Sequence, residues 1–294
     1  MAAGASGRWV VETLYEKEGF TCAFRADKVL YEEETGQQHL VIFENGLFGR
    51  MMALDGITQV TERDEFIYHE MMTHVPILAH GAAREVLIVG GGDCGMAEEA
   101  LKHKGIERLT QVEIDSAVVD FSREQFGEFN APVFDDDRFD LVIADGARFV
   151  AETDRRFDVV LVDSTDPDGP GEVLFTREFY AGVHRCLKPG GVLVTQNGVP
   201  FLQPDELVSS IGHFTSIYKD AGAYIAAIPT YFGGHMALGW ASDNPDLRRV
   251  SLETLVERFT AAGLETRYYT PEVHAAAFAL PRFIRDLVEK GRAG

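Results

Sequence analysis

The pattern of apolar and polar positions divides the chain into two parts. Up to residue 62, short segments alternate apolar with polar residues, which is typical of strands buried on one face. Between them, Asn45-Gly46 and Asp55-Gly56 are pairs that two-residue type I′ hairpin turns prefer. We predict a small antiparallel β-domain over residues 1–62, with strands at Trp9–Tyr15, Phe20–Tyr31, His39–Glu44, Gly49–Leu54 and Thr58–Thr61.

From residue 63 the pattern changes to helical period over Arg63–Ala79, and then short apolar runs alternate with helical segments. Such alternation predicts βαβ units, so the fold class is α/β, with a mostly parallel Rossmann-like sheet over residues 63–294. The residues after about 250 are also predicted to be helical. The predicted strands are Val86–Val89, Leu109–Ile114, Leu141–Ala144, Val159–Asp163, Val192–Gln196, Tyr224–Ile228 and Met236–Ala241. The predicted helices between them are Met96–Lys104, Ala117–Phe126, Ala147–Glu152, Arg177–Leu187 and Asp205–Tyr218.

A glycine-rich turn follows the first strand of this second part. The strand Val86–Val89 ends at Gly90-Gly91-Gly92-Asp93, whose glycines fit the pattern G-x-G-x-x-G together with Gly95. About twenty residues later the next strand ends at Glu113, where nucleotide-binding folds place an acid that accepts hydrogen bonds from ribose hydroxyls. Because Asp93 would repel a pyrophosphate, the pattern favours a nucleoside with a positive charge. The alternative is a glycine turn in a doubly wound sheet with a solvated acid nearby.

An acidic residue lies at or just after the end of each of the first four strands of the predicted parallel sheet. These residues are Asp93, Glu113, Asp145 before Gly146, and the segment Asp163–Asp166. The carboxyl ends of parallel strands meet at one edge, where these groups would repel one another unless a cation lay among them. A metal and an organic polycation are the two candidates. The segment His69–His74 has one residue too many for H-E-x-x-H, which puts its histidines on different sides of a helix, so we expect no metal site.

Composition limits the classes of partner. The 294 residues include 27 basic and 47 acidic residues, a net charge of −20, which disfavours nucleic acid and anionic membranes as partners. The three cysteines, Cys22, Cys94 and Cys186, are widely spaced and suit a reducing compartment. No apolar run has the length of a membrane helix or a signal peptide. We therefore expect a soluble, cytoplasmic protein.

Eight motifs, in order along the chain, resemble those of the aminopropyltransferases, the spermidine synthase family, and most closely the bacterial ones. The resemblance runs from about Trp9 to Pro281, and it implies a small N-terminal β-domain followed by a methyltransferase-like Rossmann domain. The motifs are Ala53–Gln59, Thr61–His69, Gly90–Asp93, Glu113–Asp115, Asp145-Gly146, Asp163–Pro170, Ile228–Tyr231 and His274–Pro281.

The resemblance implies transfer of an aminopropyl group from decarboxylated S-adenosylmethionine, a co-substrate and not a cofactor, to putrescine. The products are spermidine and 5′-methylthioadenosine, and a homodimer or homotetramer is expected. Cadaverine, agmatine or spermidine as the acceptor remains an alternative, as does a non-catalytic polyamine-binding protein. Methyl transfer is a third reading, disfavoured because Asp93 would repel the carboxylate of S-adenosylmethionine.

The family motifs also imply roles for individual residues. Glu113 would hold the ribose, Asp145 the adenine amino group and Asp93 the ammonium of the aminopropyl arm. Asp163 would accept the proton from the attacking amine. The implied donor site consists of Gln38, Gly90, Gly92, Asp93, Glu113, Asp145, Gly146 and Pro170. The implied acceptor site consists of Tyr68, His69, Asp93, Asp163, Asp166 and Tyr231.

One departure from the family pattern lies in the glycine turn. Cys94 stands before Gly95 where the family commonly has two glycines or Gly-Ala. A side chain at Cys94 is expected to crowd the backbone where the nucleoside approaches, and so to weaken donor binding.

Overall fold

The structure, a computed structural model, describes residues 7–165 and 169–294, and only the backbone of residues 169 and 170. The first part contains two antiparallel sheets, β1-β2 and β3-β4-β5-β6. The antiparallel β region is thus confirmed, although the predicted strand Phe20–Tyr31 is broken at Asp27 because β2 pairs with β1 and β3 with β4. The strands are β1 Arg8–Val11, β2 Ala23–Ala26, β3 Lys28–Glu34, β4 His39–Asn45, β5 Gly49–Leu54 and β6 Ile57–Thr61.

The two predicted hairpin turns have different outcomes. Asp55 and Gly56 both have positive φ, 51° and 79°, as a type I′ turn requires, so this prediction is confirmed. The prediction of a two-residue turn at Asn45-Gly46 is wrong, because Asn45 pairs with Gly49 across a three-residue loop. The Asn45 side chain accepts hydrogen bonds from two amides of this loop, at 2.9 and 3.0 Å, and thereby stabilises the wider turn.

The second part begins with helix α1, Glu65–His80, and contains one seven-stranded sheet in the order β12-β13-β11-β10-β7-β8-β9. Strands β7 to β11 pair with one another in parallel, and β13 is antiparallel to both β11 and β12. The predicted α/β class with a mostly parallel Rossmann-like sheet is confirmed. The strands are β7 Glu85–Gly90, β8 Arg108–Glu113, β9 Phe139–Ile143, β10 Phe157–Asp163, β11 Leu187–Gln196, β12 Asp220–Ala226 and β13 Met236–Ser242.

Helices cover both faces of this sheet. Val86 and Ile88 of β7 pack toward α1 and α2, whereas Leu87 and Val89 pack toward the layer formed by α6, α7 and α10. This two-sided burial explains why β7 is apolar at successive positions and does not alternate. Among the described helices, none combines the length and apolar character needed to cross a membrane. The helices after α1 are α2 Gly95–Leu101, α3 Ser116–Gln125, α4 Gly127–Asn130, α5 Gly146–Glu152, α6 Arg177–Cys186, α7 Pro204–Ile217, α8 Leu252–Ala262, α9 Pro271–Ala277 and α10 Arg282–Ala293.

The order of the strands reverses between β7 and β10. From β7 the chain adds β8 and β9 on one side, and β10 and β11 follow on the other. In open α/β sheets, ligands bind in the crevice outside the carboxyl ends of the strands at such a point. Here Gly90 pairs with Asp163 in register, and a cleft with about 1450 Å³ of empty space opens above this pair.

Candidate active site

The glycines of the turn are required by close approaches of the neighbouring elements. Gly90 has φ of 85°, and a Cβ on it would lie 1.9 Å from the carbonyl oxygen of Asp163. The amide of Gly91 donates a hydrogen bond of 3.0 Å to that same carbonyl. A Cβ on Gly92 would lie 2.7 Å from Val118 of α3. The turn is therefore held tightly between β10 and α3, and its backbone forms the floor of the cleft.

Gln111 supports this floor from below, and the sequence analysis missed it. Its side chain is fully buried and donates to the carbonyl oxygens of Gly90 and Gly91, at 3.0 and 2.5 Å. A polar residue in the middle of a buried strand was the available signal. The expectation that Cys94 crowds the nucleoside approach is wrong, because its left-handed backbone, with φ of 63°, directs the buried thiol toward Gln111 and away from the cleft.

At one end of the cleft, side chains of the β-domain contact the residues that follow β8. Glu113 is buried and accepts a hydrogen bond of 2.9 Å from the amide of Asp115. The carboxylate of Asp115 in turn accepts bonds from Thr35 and Gln38 of the β-domain, at 2.6 and 3.3 Å. Glu113 and Gln38 thus line the same end of the cleft. Burial raises the pKa of Glu113 to about 7, although two backbone amides act in the opposite direction.

The end of β9 contributes Asp145 and Gly146 to the same region of the cleft. Asp145 caps the N-terminus of α5 by accepting a hydrogen bond of 3.1 Å from the amide of Arg148. A Cβ on Gly146 would lie 2.4 Å from Val89, so only glycine allows α5 to begin this close to β7. The exposed carboxylate of Asp145 is thereby fixed at the cleft edge.

Asp93 lines the cleft next to the turn and is paired with a buried histidine behind it. The His69 ring lies 3.3 Å from Asp93 on one side and 2.9 Å from Glu65 on the other. Burial disfavours the charged form of the His69 ring, but the two carboxylates favour it more strongly. The pKa of His69 is therefore raised well above its usual 6.5. Both ring nitrogens are engaged, and His69 lies behind Asp93, where it lines a small pocket together with Tyr68 and Tyr231. Its contact with the acceptor stays a prediction.

Asp163 lies across the turn from Asp93 and is hydrogen-bonded to a tyrosine. The hydroxyl of Tyr68 donates to Asp163 at 2.6 Å, and the Tyr68 ring meets that of Tyr231 edge to face at 6.1 Å. Burial and the nearby Asp93 raise the pKa of Asp163 to about 6, against the bond from Tyr68 and the charge of His69. Asp163 is therefore ionised at neutral pH but has an increased affinity for a proton.

Asp64 fixes the position of the two tyrosines and was also missed from the sequence. This buried carboxylate precedes α1, which carries Tyr68, and it accepts a hydrogen bond of 2.6 Å from Thr61 of β6. It also accepts bonds from the amide and hydroxyl of Thr230, at 2.7 and 2.5 Å, immediately before Tyr231. Asp64 thus joins the β-domain, α1 and the segment that carries Tyr231.

Two predicted site residues remain without a side-chain description. Asp166 lies outside the described residues, and Pro170 is described only as backbone in the 3₁₀ segment Gly169–Phe175. Gly171 and Leu174 from this segment line the cleft. Within the described parts of the chain, no three His, Cys, Asp or Glu residues are arranged to hold a metal ion.

The site therefore has three connected parts along the carboxyl edge of the sheet. Glu113 and Asp145 provide acceptors suited to a nucleoside, Asp93 provides an anion for a cation, and Asp163 provides a group that can take a proton. Fold and site together define a Rossmann-type protein with an acidic cleft at the carboxyl edge of its parallel sheet.

Comparison with known proteins identifies the family. Residues 65–251 match the model of the spermine/spermidine synthase domain, and residues 9–62 match that of the spermidine synthase tetramerisation domain. Polyamine aminopropyltransferases from Salmonella paratyphi A and Salmonella agona are each 56% identical over 275 residues, which cover 94% of this chain and 96% of theirs.

Solved structures agree with this assignment. A spermidine synthase in complex with the transition state analogue AdoDATO has a TM-score of 0.91 at 34% identity, covering 98% of this chain and 97% of its own. The spermidine synthase of Thermotoga maritima has a TM-score of 0.88 at 32% identity, covering 98% and 96%. The chain therefore belongs to the spermine/spermidine synthase family, the polyamine aminopropyltransferases, and is an enzyme. The family predicted from the motifs is confirmed.

Proposed function

We propose that the protein transfers the aminopropyl group of decarboxylated S-adenosylmethionine to putrescine, giving spermidine and 5′-methylthioadenosine. The observation that carries this proposal is the pair of carboxylates, Asp93 and Asp163, on either side of the glycine turn. Such a pair repels a pyrophosphate or the carboxylate of S-adenosylmethionine and attracts an ammonium and a sulfonium. Family membership supports the same reaction. The donor is a co-substrate, and no metal or other cofactor takes part.

In this proposal the nucleoside of the donor lies at the Glu113 end of the cleft. Glu113 accepts hydrogen bonds from the ribose hydroxyls, and Asp145 accepts one from the adenine amino group. Gln38 contacts the nucleoside from the β-domain. Its link to Asp115, the next residue but one after Glu113, supports this role. The remaining donor contacts are Gly90, Gly92, Gly146 and Pro170.

Asp93 binds the primary ammonium of the aminopropyl arm. Behind Asp93, the His69 ring also lies 2.9 Å from Glu65, which Arg267 contacts at 3.6 Å, so the positive charge beside Asp93 is shared with a second carboxylate. Since Asp93 is only 8% exposed, an unpaired carboxylate there would be costly, and His69 offsets this cost while keeping the carboxylate oriented toward the cleft.

The acceptor lies between the donor and β11. Tyr68 and Tyr231 flank its carbon chain, and their edge-to-face arrangement leaves apolar ring surface for methylene groups. Asp166 binds the far ammonium, a role that rests on the family resemblance alone. Asp163 receives a hydrogen bond from the amine that reacts.

The transfer is a single displacement. A putrescine nitrogen donates its lone pair to the methylene carbon beside the sulfonium, the carbon–sulfur bond breaks, and both of its electrons stay on sulfur as neutral methylthioadenosine leaves. An alkylamine has a pKa near 10.4 and is mostly protonated at neutral pH, so it must lose a proton before or during attack. Asp163 accepts that proton, and its raised pKa increases its affinity for it.

The test is an end-point assay of the purified protein with decarboxylated S-adenosylmethionine and, in separate tubes, putrescine, cadaverine, agmatine and spermidine. Methylthioadenosine is measured in each tube, with a tube lacking amine as the control. We expect product with putrescine above all others. A different preferred amine would replace the acceptor but keep the reaction, and no product with any amine would overturn the proposal.

We further propose a homodimer or homotetramer in the cytoplasm. The match of residues 9–62 to a tetramerisation domain supports association, and Trp9 and Val11 of β1 are 58% and 42% exposed, an apolar surface that a second copy would cover. The three unpaired cysteines support a reducing compartment. Light scattering during gel filtration measures the mass, and a monomer would contradict the proposed association.

A further inference from the structure

Asp64 is the residue before α1, but its side chain does not serve that helix. An aspartate at this position usually accepts a hydrogen bond from an amide of the first helical turn. Among the described residues of α1, none donates such a bond to the Asp64 carboxylate, although the Asp64 backbone oxygen accepts one from the amide of Ile67 at 3.0 Å. The carboxylate instead binds Thr61 and, 166 positions along the chain, Thr230. Its side chain therefore makes long-range contacts in place of local helix capping.

The contact with Thr230 fixes the segment that carries Tyr231, between β12 and β13. One oxygen of Asp64 accepts hydrogen bonds from both the amide and the hydroxyl of Thr230, at 2.7 and 2.5 Å. The hydroxyl of Tyr231 donates to the backbone oxygen of Gln59 in β6 at 2.5 Å. Tyr231 is thus anchored through the preceding residue at one end and through its hydroxyl at the other.

The rings of Tyr68 and Tyr231 stand between the cleft and a small cavity. Both tyrosines line the cleft, and together with Asp64 and His69 they also line the cavity, which has about 240 Å³ of empty space. A ring beside empty space lacks packing contacts on that side, so packing alone does not hold it in place. The distance of 6.1 Å between the two ring centroids therefore depends on how firmly the backbone of each tyrosine is held.

We propose that Asp64 is a positioning residue for the acceptor amine, because it keeps the rings of Tyr68 and Tyr231 at the wall of the cleft. This inference rests on the proposed aminopropyl transfer, in which the two rings flank the carbon chain of the amine. Within the described part of the chain, Asp64 lines the cavity and not the cleft, so it acts through the tyrosines. The nucleoside of the donor lies at the Glu113 end of the cleft. Loss of Asp64 should therefore weaken binding of the acceptor and not of the donor.

The experiment measures KM for putrescine and KM for the donor by methylthioadenosine release. Asp64→Ala leaves the buried donor groups of Thr61 and Thr230 without their acceptor. It should raise KM for putrescine by about tenfold or more and leave donor KM within about twofold, since a misplacement of about 1 Å costs up to about a hundredfold. Asp64→Asn retains an oxygen for Thr230, and its amino group can donate to the hydroxyl of Thr61. This conservative variant should keep KM for putrescine within about threefold of wild type.

Asp158, near the start of β10, provides the matched control. Like Asp64 it is a buried carboxylate with three hydrogen bonds, which come from the amides of Arg84 and Glu85 and from Lys188, each at 2.9 Å. It lies toward the amino end of the strand that Asp163 ends at the cleft. Asp158→Ala should lower the melting temperature as Asp64→Ala does, but leave both KM values within about twofold of wild type.

Each outcome bears on the inference. A putrescine KM for Asp64→Ala within about threefold of wild type overturns the positioning role but leaves the proposed function intact. Equal increases in the two KM values do the same, as does an Asp64→Asn variant as impaired as Asp64→Ala, since a general loosening or the lost charge would then be the cause. If Asp64→Ala does not fold, Thr230→Val removes one of the hydrogen bonds and should raise KM for putrescine by more than about threefold, with the opposite result overturning the role. No product from the wild-type protein with any amine overturns the proposed function and this inference with it.

Discussion

Replacing Asp163 by asparagine should make the protein more stable and nearly inactive at the same time. The asparagine side chain has almost the same shape as that of Asp163, and its oxygen can still accept the hydrogen bond that Tyr68 donates at 2.6 Å. The substitution therefore removes mainly a negative charge and the capacity to take a proton. The proposed reaction uses both properties, and the buried negative charge also destabilises the fold.

The magnitude follows from the pKa of Asp163, which burial and Asp93 raise from 3.8 to about 6. At about 1.4 kcal/mol per pKa unit, the ionised carboxylate costs the folded state up to about 3 kcal/mol. This cost is absent below pH 3.8, where the carboxyl is protonated in both states, and it is complete above pH 6. Asp163→Asn should thus gain up to about 3 kcal/mol at pH 8 and about half of that at pH 5. Loss of the proton acceptor should lower kcat by about 10²- to 10⁴-fold.

The assay is urea unfolding of both proteins at pH 5 and pH 8, together with methylthioadenosine release. Asp145→Asn is the matched control, because this exposed carboxylate caps α5 and asparagine caps equally well, so its unfolding free energy should change by less than about 0.5 kcal/mol. Equal stabilities of Asp163→Asn and wild type at both pH values would refute the conclusion that the ionised Asp163 carboxylate destabilises the folded state. A kcat within about tenfold of wild type would refute Asp163 as the proton acceptor.

Three further predictions concern the donor side. Glu113 must be ionised to accept two ribose hydroxyls, so KM for the donor should fall as the pH rises through its pKa of about 7, and a KM independent of pH between 6 and 8 would contradict this. His69→Gln should destabilise the protein by about 3 kcal/mol in thermal unfolding and raise donor KM more than it lowers kcat. That stability difference should be largest below pH 6.5 and shrink as the pH rises through the elevated pKa of His69, whereas a constant difference would exclude an imidazolium. Cys94→Gly should remain within about 1 kcal/mol of wild type with unchanged donor KM, whereas Cys94→Val should lose more than about 2 kcal/mol because a β-branched residue resists φ of 63°.

Local signals in the sequence were sufficient to predict the sheet and the acidic residues along its carboxyl edge. The apolar run of β7, the glycines after it and the acids that end successive strands each depend on a few neighbouring residues. In a parallel sheet those ends lie at one edge, which is why Asp93, Glu113 and Asp163 could be grouped from the sequence alone. Asp93 in the glycine turn also led to the prediction of a cationic ligand. The family was predicted from the resemblance of eight ordered motifs to those of the aminopropyltransferases.

Contacts between distant parts of the chain were decided only by the tertiary structure. The pairing of His69 with Asp93 depends on α1 packing so closely on Gly95 that a Cβ there would lie 2.1 Å from the His69 ring. Cys94 was expected to face the nucleoside, and its backbone conformation turned it inward. The hydrogen bond from Tyr15 to Gln203 joins two parts of the chain with no local pattern in common. These features depend on how α1 packs on α2 and on how the β-domain docks onto the sheet, which no periodicity or motif spacing encodes. Strand ends and glycine turns, in contrast, are determined by local sterics and hydrophobic pattern.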